Sequence, residues 1–178
     1  MTTTLSALAA IAGLLLFVFA MLSAAVSDLT TYKIKNNLIL TLLLAYLAFA
    51  PIAGITGHDI ARSLVVAGVV LVVGFTLFAV GLIGGGDAKL ATVTALWVGA
   101  DHAFAYLLLM PLLGAVLAAI VYACRKWPLP KRLADTAWIA RLRARAPGAE
   151  LPYGVAITLA ALCVLPWTPW MADGIWRI

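Results

Sequence analysis

Residues 5–26 read LSALAAIAGLLLFVFAMLSAAV, 22 positions without a charge. An uninterrupted apolar run of this length is the signature of a membrane-spanning helix. It is too long for the h-region of a signal peptide, and the first 27 residues contain no Lys or Arg to form a positive n-region. Working outward from this run, the whole chain has the same character. Of 178 residues, 65% are apolar, and only 12 basic and 7 acidic side chains are present. The mean hydropathy is +1.11. Soluble domains carry about a quarter charged residues. This composition excludes a soluble enzyme, a nucleic-acid binder and a disordered chain.

Further apolar runs cover 38–55, 60–83, 88–100, 103–124 and 152–171, with Pro51 near the end of the second and Pro111 inside the fifth. The expectation is a single domain over 1–178: an all-α polytopic membrane protein built as a bundle of about six helices. Basic residues fix its orientation. Ten of the twelve fall in odd-numbered connections: Lys33, Lys35, Lys89, Arg125, Lys126, Lys131, Arg132, Arg141, Arg143 and Arg145. Only Arg62 and Arg177 fall elsewhere. Positive charge stays inside, so odd connections are expected to face the cytoplasm and both termini the outside. Residues 125–150 form the one sizeable polar loop. Within it, 133–145 suits a short surface helix with Trp138, Ile139 and Leu142 on one side.

Cys124 and Cys163 form no C-x-x-C, and His58 and His102 stand apart from other ligand types. No disulfide framework, metal site or organic cofactor is expected. Asp59, Asp101 and Asp173 fall on the outer side and read as loop residues or helix caps.

Two acids on the cytoplasmic side carry more information. Asp28 closes the first span in Ser27-Asp28-Leu29-Thr30-Thr31-Tyr32-Lys33-Ile34-Lys35-Asn36. Asp87 opens the fourth in Gly84-Gly85-Gly86-Asp87-Ala88-Lys89. Three consecutive glycines are poor helix and leave bare backbone open to close approach. The fourth span has about 13 residues, roughly 20 Å, against a hydrocarbon core of about 30 Å. One end should therefore start below the membrane surface, where irregular backbone survives only inside protein or beside a wet cavity. Asp87 at a helix N-terminus is favoured as an anion, whereas Asp28 at a helix C-terminus is not. If they meet, one would be ionised and the other protonated, the division of labour an aspartyl protease needs. The plainer alternatives are an N-cap at Asp87 and a juxtamembrane acid at Asp28.

Gly84-Gly85-Gly86-Asp87 has the form G-x-G-D. With the upstream Asp28 it resembles the G-x-G-D intramembrane aspartyl proteases, and among them the bacterial type IV prepilin peptidases. Asp28 and Asp87 match that family's catalytic pair, and Lys89 matches the Lys after G-x-G-D. Ile34-Lys35-Asn36 matches an I-P-N element, with Lys35 where proline is usual. Leu151-Pro152-Tyr153-Gly154 resembles the P-Y-G element that opens the last span. Larger members carry a cytoplasmic region with paired C-x-x-C motifs and also methylate the new N-terminus. This chain lacks those motifs and resembles the short, peptidase-only form of tight-adherence (Flp-type) pili. Ser27 stands where the presenilin branch usually has Tyr.

The resemblance implies an aspartic endopeptidase of the inner membrane, without N-methyltransferase activity, that removes a short basic leader from prepilin-like or pseudopilin precursors on the cytoplasmic side. Asp28 and Asp87 would be catalytic. Gly84, Gly86, Lys89 and Asn36 would meet the substrate. The partners would be that precursor, the lipid bilayer and, as one option, a second copy of the chain, with no nucleic acid. Two other readings stand beside it: a small ion- or proton-coupled transporter with both acids in its pathway, and a non-catalytic assembly subunit of a secretion system.

Overall fold

A computed structural model describes residues 2–127, 136 and 151–172. Every regular element among them is helical: α1 (Thr2–Thr31), α2 (Asn36–Ile52), α3 (Gly57–Ala79), α4 (Gly85–Val98), α5 (Ala100–Lys126) and α6 (Tyr153–Val164). A 3-10 turn, Leu165–Trp167, and a short helix α7 (Pro169–Ala172) follow. The expected surface helix at 133–145, Asp173 and Arg177 lie outside the described residues.

Thr4–Thr31, Gly57–Ala79 and Ala100–Lys126 are long and apolar enough to cross a membrane by themselves. Asn36–Ile52 and Tyr153–Trp167 are apolar but shorter. Large side chains such as Leu15, Phe19, Val65, Val72, Phe104 and Leu112 point outward and stay exposed. In a water-soluble bundle these would be a liability; they suit a lipid-facing belt. The protein is an all-α polytopic membrane protein.

α4 is the centre of the bundle. It touches α2, α3, α5 and α6, and Leu90, Ala91 and Val93 through Val98 are all buried. A helix buried nearly all round from Leu90 onward belongs inside other protein, which explains how 14 residues, about 21 Å, can be stable here. Around it, α1 packs on α2 and α6, and α5 packs on α3 and α6. Trp97 of α4 stacks between Phe17 (centroids 5.0 Å) and Trp170 (4.5 Å), with Tyr46 edge-on. The indole N–H groups are paired: Trp97 donates to the Leu42 carbonyl at 2.9 Å and Trp170 to the Trp97 carbonyl at 3.0 Å. Without water in the bilayer, an unpaired indole would be costly.

Several element boundaries differ from the sequence reading: α2 ends at Ile52 rather than 55, and α4 begins at Gly85 rather than 88, so that Gly85 and Gly86 form its first turn. α1 continues to Thr31, so Asp28 lies in its last turn. α3 stops at Ala79 rather than 83, because Gly81 (φ 76) closes it. The Gly81 N–H bonds the Phe78 carbonyl and the Leu82 N–H that of Leu77, the paired bonds of a glycine C-cap. Gly54 ends α2 in the same way. The last apolar run, expected to be continuous over 152–171, breaks after Val164. Pro166 and Pro169 supply no backbone N–H, and the resulting bend carries Trp170 into the core.

At the end of the bundle where α4 meets α5, Thr56 caps α3 and exchanges hydrogen bonds with Asp59. Arg62 bridges Asp59 and Asp101. A small cavity of about 160 Å³ lies there, floored by Tyr46, Trp97 and Trp170.

Candidate active site

The larger cavity, about 840 Å³, opens at the other end of α4. Its walls come from five places: the end of α1 (Asp28, Tyr32), the link to α2 (Lys33, Ile34), the end of α3 and the following turn (Phe78, Gly81 to Gly84), the start of α4 (Gly85, Gly86, Asp87), and the start of α6 (Leu151, Tyr153). Asp28 and Asp87, 59 positions apart in sequence, thus line one cavity.

Asp28 is 5% exposed. Its Oδ2 accepts a hydrogen bond from the backbone N–H of Gly154 at 2.7 Å. Gly154 is the second residue of α6, where N–H groups have no partner within the helix. A Cβ at Gly154 would lie 2.9 Å from Asp28 Oδ2 and 3.1 Å from Asp28 Cβ. Only glycine brings the amide this close. Considered on α1 alone, Asp28 stands at the unfavourable end of a helix dipole. The structure adds the N-terminus of α6, so both acids face positive helix ends. Thr158, one turn along α6, donates to the Met21 carbonyl at 3.0 Å and ties α6 to α1 above the site.

Asp87 is the third residue of α4 and is half-buried. The three glycines before it do three different things. A Cβ at Gly84 would fall 2.8 Å from Asp87 Oδ2, so Gly84 leaves room for the carboxylate itself. A Cβ at Gly85 would meet the Phe78 ring at 3.2 Å, and one at Gly86 would meet Ile34 Cβ at 3.3 Å. Gly86 therefore faces the α1–α2 link of its own chain, where the sequence suggested an approaching substrate. Lys89 and Asn36 are brought together: Lys89 Nζ donates to Asn36 Oδ1 at 3.2 Å, joining the first turns of α4 and α2. Neither side chain is among the residues that line the cavity.

Several residues that shape the site had no role in the sequence reading. Tyr153 lines the cavity, and its ring lies where a Cβ at Gly114 of α5 would be, well inside contact distance. Pro152, Tyr153 and Gly154 thus have separate tasks: N-cap of α6, ring against Gly114, and donor to Asp28. Tyr32 is the one non-glycine residue with φ in the left-handed region among those described (φ 54), a conformation that costs a side-chain-bearing residue about 1 kcal/mol or more. The P-Y-G element was visible as a motif but not as a partner of Asp28. Gly114 carries no local signal, and at position 32 the local preference is for glycine.

The contact at Gly114 also places Tyr153 along α5. α5 runs about 12 residues past that glycine to Lys126, roughly 18 Å. The part of the cavity beside Tyr153 therefore lies short of the end of α5. Chemically, it offers two carboxyl groups, one buried and one half-buried, with room for a peptide: ligand pockets commonly measure about 300–1,000 Å³.

A sequence profile of the type IV leader peptidase family matches residues 6–123, about two thirds of the chain. The chain belongs to the type IV leader peptidase family. The match contains Asp28, Asn36, Gly84 to Asp87 and Lys89, and ends before Pro152-Tyr153-Gly154. No curated protein and no solved structure matches. As a type IV leader peptidase, the protein is a membrane-embedded protease, and its family points to a prepilin-type substrate.

Proposed function

We propose that this type IV leader peptidase is an aspartic endopeptidase whose catalytic pair is Asp28 and Asp87. It removes the basic leader from a Flp-type prepilin at the cytoplasmic side of the inner membrane. The observation that carries the reading is that Asp28 and Asp87 line one cavity, each with its carboxyl group at a helix N-terminus. The ionised carboxylate takes a proton from water as the water oxygen adds to the scissile carbonyl carbon. The protonated partner gives its proton to the carbonyl oxygen. When the tetrahedral intermediate collapses, the C–N bond breaks. The leaving amine takes the proton that came from water, and the carbonyl oxygen returns its proton to the partner.

Lys33 lines the cavity, and Lys35, Lys89, Arg125 and Lys126 belong to the same end of the bundle. The positive-inside bias then turns the cavity to the cytoplasm, with both termini periplasmic. In this reading the chain crosses the membrane six times and cleaves without methylating, the latter in keeping with a sequence lacking C-x-x-C. A transporter would need a polar path from this cavity to the smaller one at the far end of α4. Between them, α4 buries Leu90, Ala91, Val93 and Leu96 with the hydroxyl of Thr94 among them, and it has no ionisable residue after Lys89, which favours the peptidase. An assembly subunit would have no use for two acids on one cavity.

Co-expression with a Flp-type prepilin tests the reading. The precursor should shift to a smaller form on a gel, and mass spectrometry should find an unmethylated new N-terminus. An unprocessed precursor beside well-expressed, membrane-inserted protein would contradict it.

A further inference from the structure

Tyr32 sits one residue past α1, with its N–H bonded to the Asp28 carbonyl at 2.9 Å. This is the position where helices usually place glycine or asparagine, because the backbone turns left-handed there. The turn has hydroxyl and backbone supports. Its geometry is held by Ser27, whose hydroxyl donates to the Lys33 carbonyl at 2.8 Å, and by the Tyr32 N–H itself. Glycine would meet the same requirements at lower backbone cost. Tyr32, meanwhile, lines the cavity that holds both acids, four residues after Asp28, with its hydroxyl oxygen buried. A residue held in a sparsely populated conformation on a cavity wall points to function.

We propose that Tyr32 is a substrate-contacting residue, whose ring packs against the extended precursor segment next to the scissile bond and so contributes to substrate affinity. This rests on the peptidase reading above. It assigns no proton transfer to Tyr32; the ring holds the segment while Asp28 and Asp87 act on it.

The test uses the full chain in detergent, with a purified Flp-type prepilin carrying its leader as the probe. Tyr32→Gly, Tyr32→Asn and Tyr32→Phe are each measured for thermal unfolding and for steady-state cleavage. The Gly and Asn variants should unfold within a few degrees of the wild-type temperature, since both residues accept the left-handed turn and this offsets the lost ring burial. Their KM should rise about tenfold while kcat stays within about threefold. Tyr32→Phe should restore a near-wild-type KM. A wild-type KM in Tyr32→Gly, or a fall in its unfolding temperature that accounts for lost activity, overturns the inference. Asp28→Asn and Asp87→Asn run alongside. Normal cleavage by either would reject the aspartic mechanism whatever position 32 does. Two inactive Asp variants with a wild-type KM in Tyr32→Gly would reject the Tyr32 inference alone.

Discussion

The backbone amide of Gly154 donates to the carboxylate of Asp28 at 2.7 Å across 126 positions of sequence. That bond joins the last turn of α1 to the first turn of α6 and fixes one acid of the proposed pair. Because the donor is main chain, its position depends on the absence of a side chain. Gly154→Ala places a methyl group 2.9 Å from Asp28 Oδ2, so one of the two must move. We expect a displacement approaching 1 Å, a loss of cleavage of about a hundredfold, and a stability cost of about 1–3 kcal/mol. Initial rates on a prepilin, with a thermal melt of the same sample, check both.

Gly84 and Gly86 separate two roles that their shared motif hides. Alanine at Gly84 displaces the Asp87 carboxylate, whereas alanine at Gly86 presses on Ile34 Cβ at 3.3 Å. Cleavage should fall by about a hundredfold in Gly84→Ala with little change in melting. Gly86→Ala should show the smaller kinetic loss and a stability cost of about 1 kcal/mol. The reverse order would mean that the Asp87 carboxylate is not where the chemistry occurs.

Lys89 and Asn36 form a hydrogen bond between two exposed side chains away from the cavity lining. Exposed polar pairs of this kind contribute about 0–1 kcal/mol. Lys89→Met should therefore reduce stability by less than about 1 kcal/mol, and cleavage by no more than threefold or so. A loss on the scale of the Asp variants would assign Lys89 a direct part in the reaction.

What was legible in the sequence follows from range. Uninterrupted apolar runs disclosed the membrane bundle. G-x-G-D and Asp28 were legible because each lies in a distinctive local string, and α4 proved short and buried as its length required. The Gly154 bond, the Tyr153 ring at Gly114 and the Trp170 stack were not. Each joins elements far apart in the chain, and no local period encodes which helices become neighbours. The early end of α3 at Ala79 had a signal, Gly81, but the apolar residues on either side of it masked the cap. Tyr32 ran against its local signal, since propensity alone would put glycine there.

Arg62 offers a control at the opposite end of the bundle. Its bridge to Asp59 and Asp101 is solvent-exposed, and such pairs contribute about 0–1 kcal/mol. Arg62→Met should melt within a few degrees of wild type and process prepilin at an unchanged rate. A large loss of activity would mean that the two ends of α4 are coupled.

The central claim, that Asp28 and Asp87 act as one catalytic unit, is tested most directly by cleavage rates of purified Asp28→Asn, Asp87→Asn and the double variant on one prepilin. Asparagine keeps the shape but cannot exchange the proton. Each single change should lower the rate by about a thousandfold or more, and the double change should be no worse than either, as for residues that work together. Near-normal cleavage by either single variant, or losses that multiply in the double, would contradict the account.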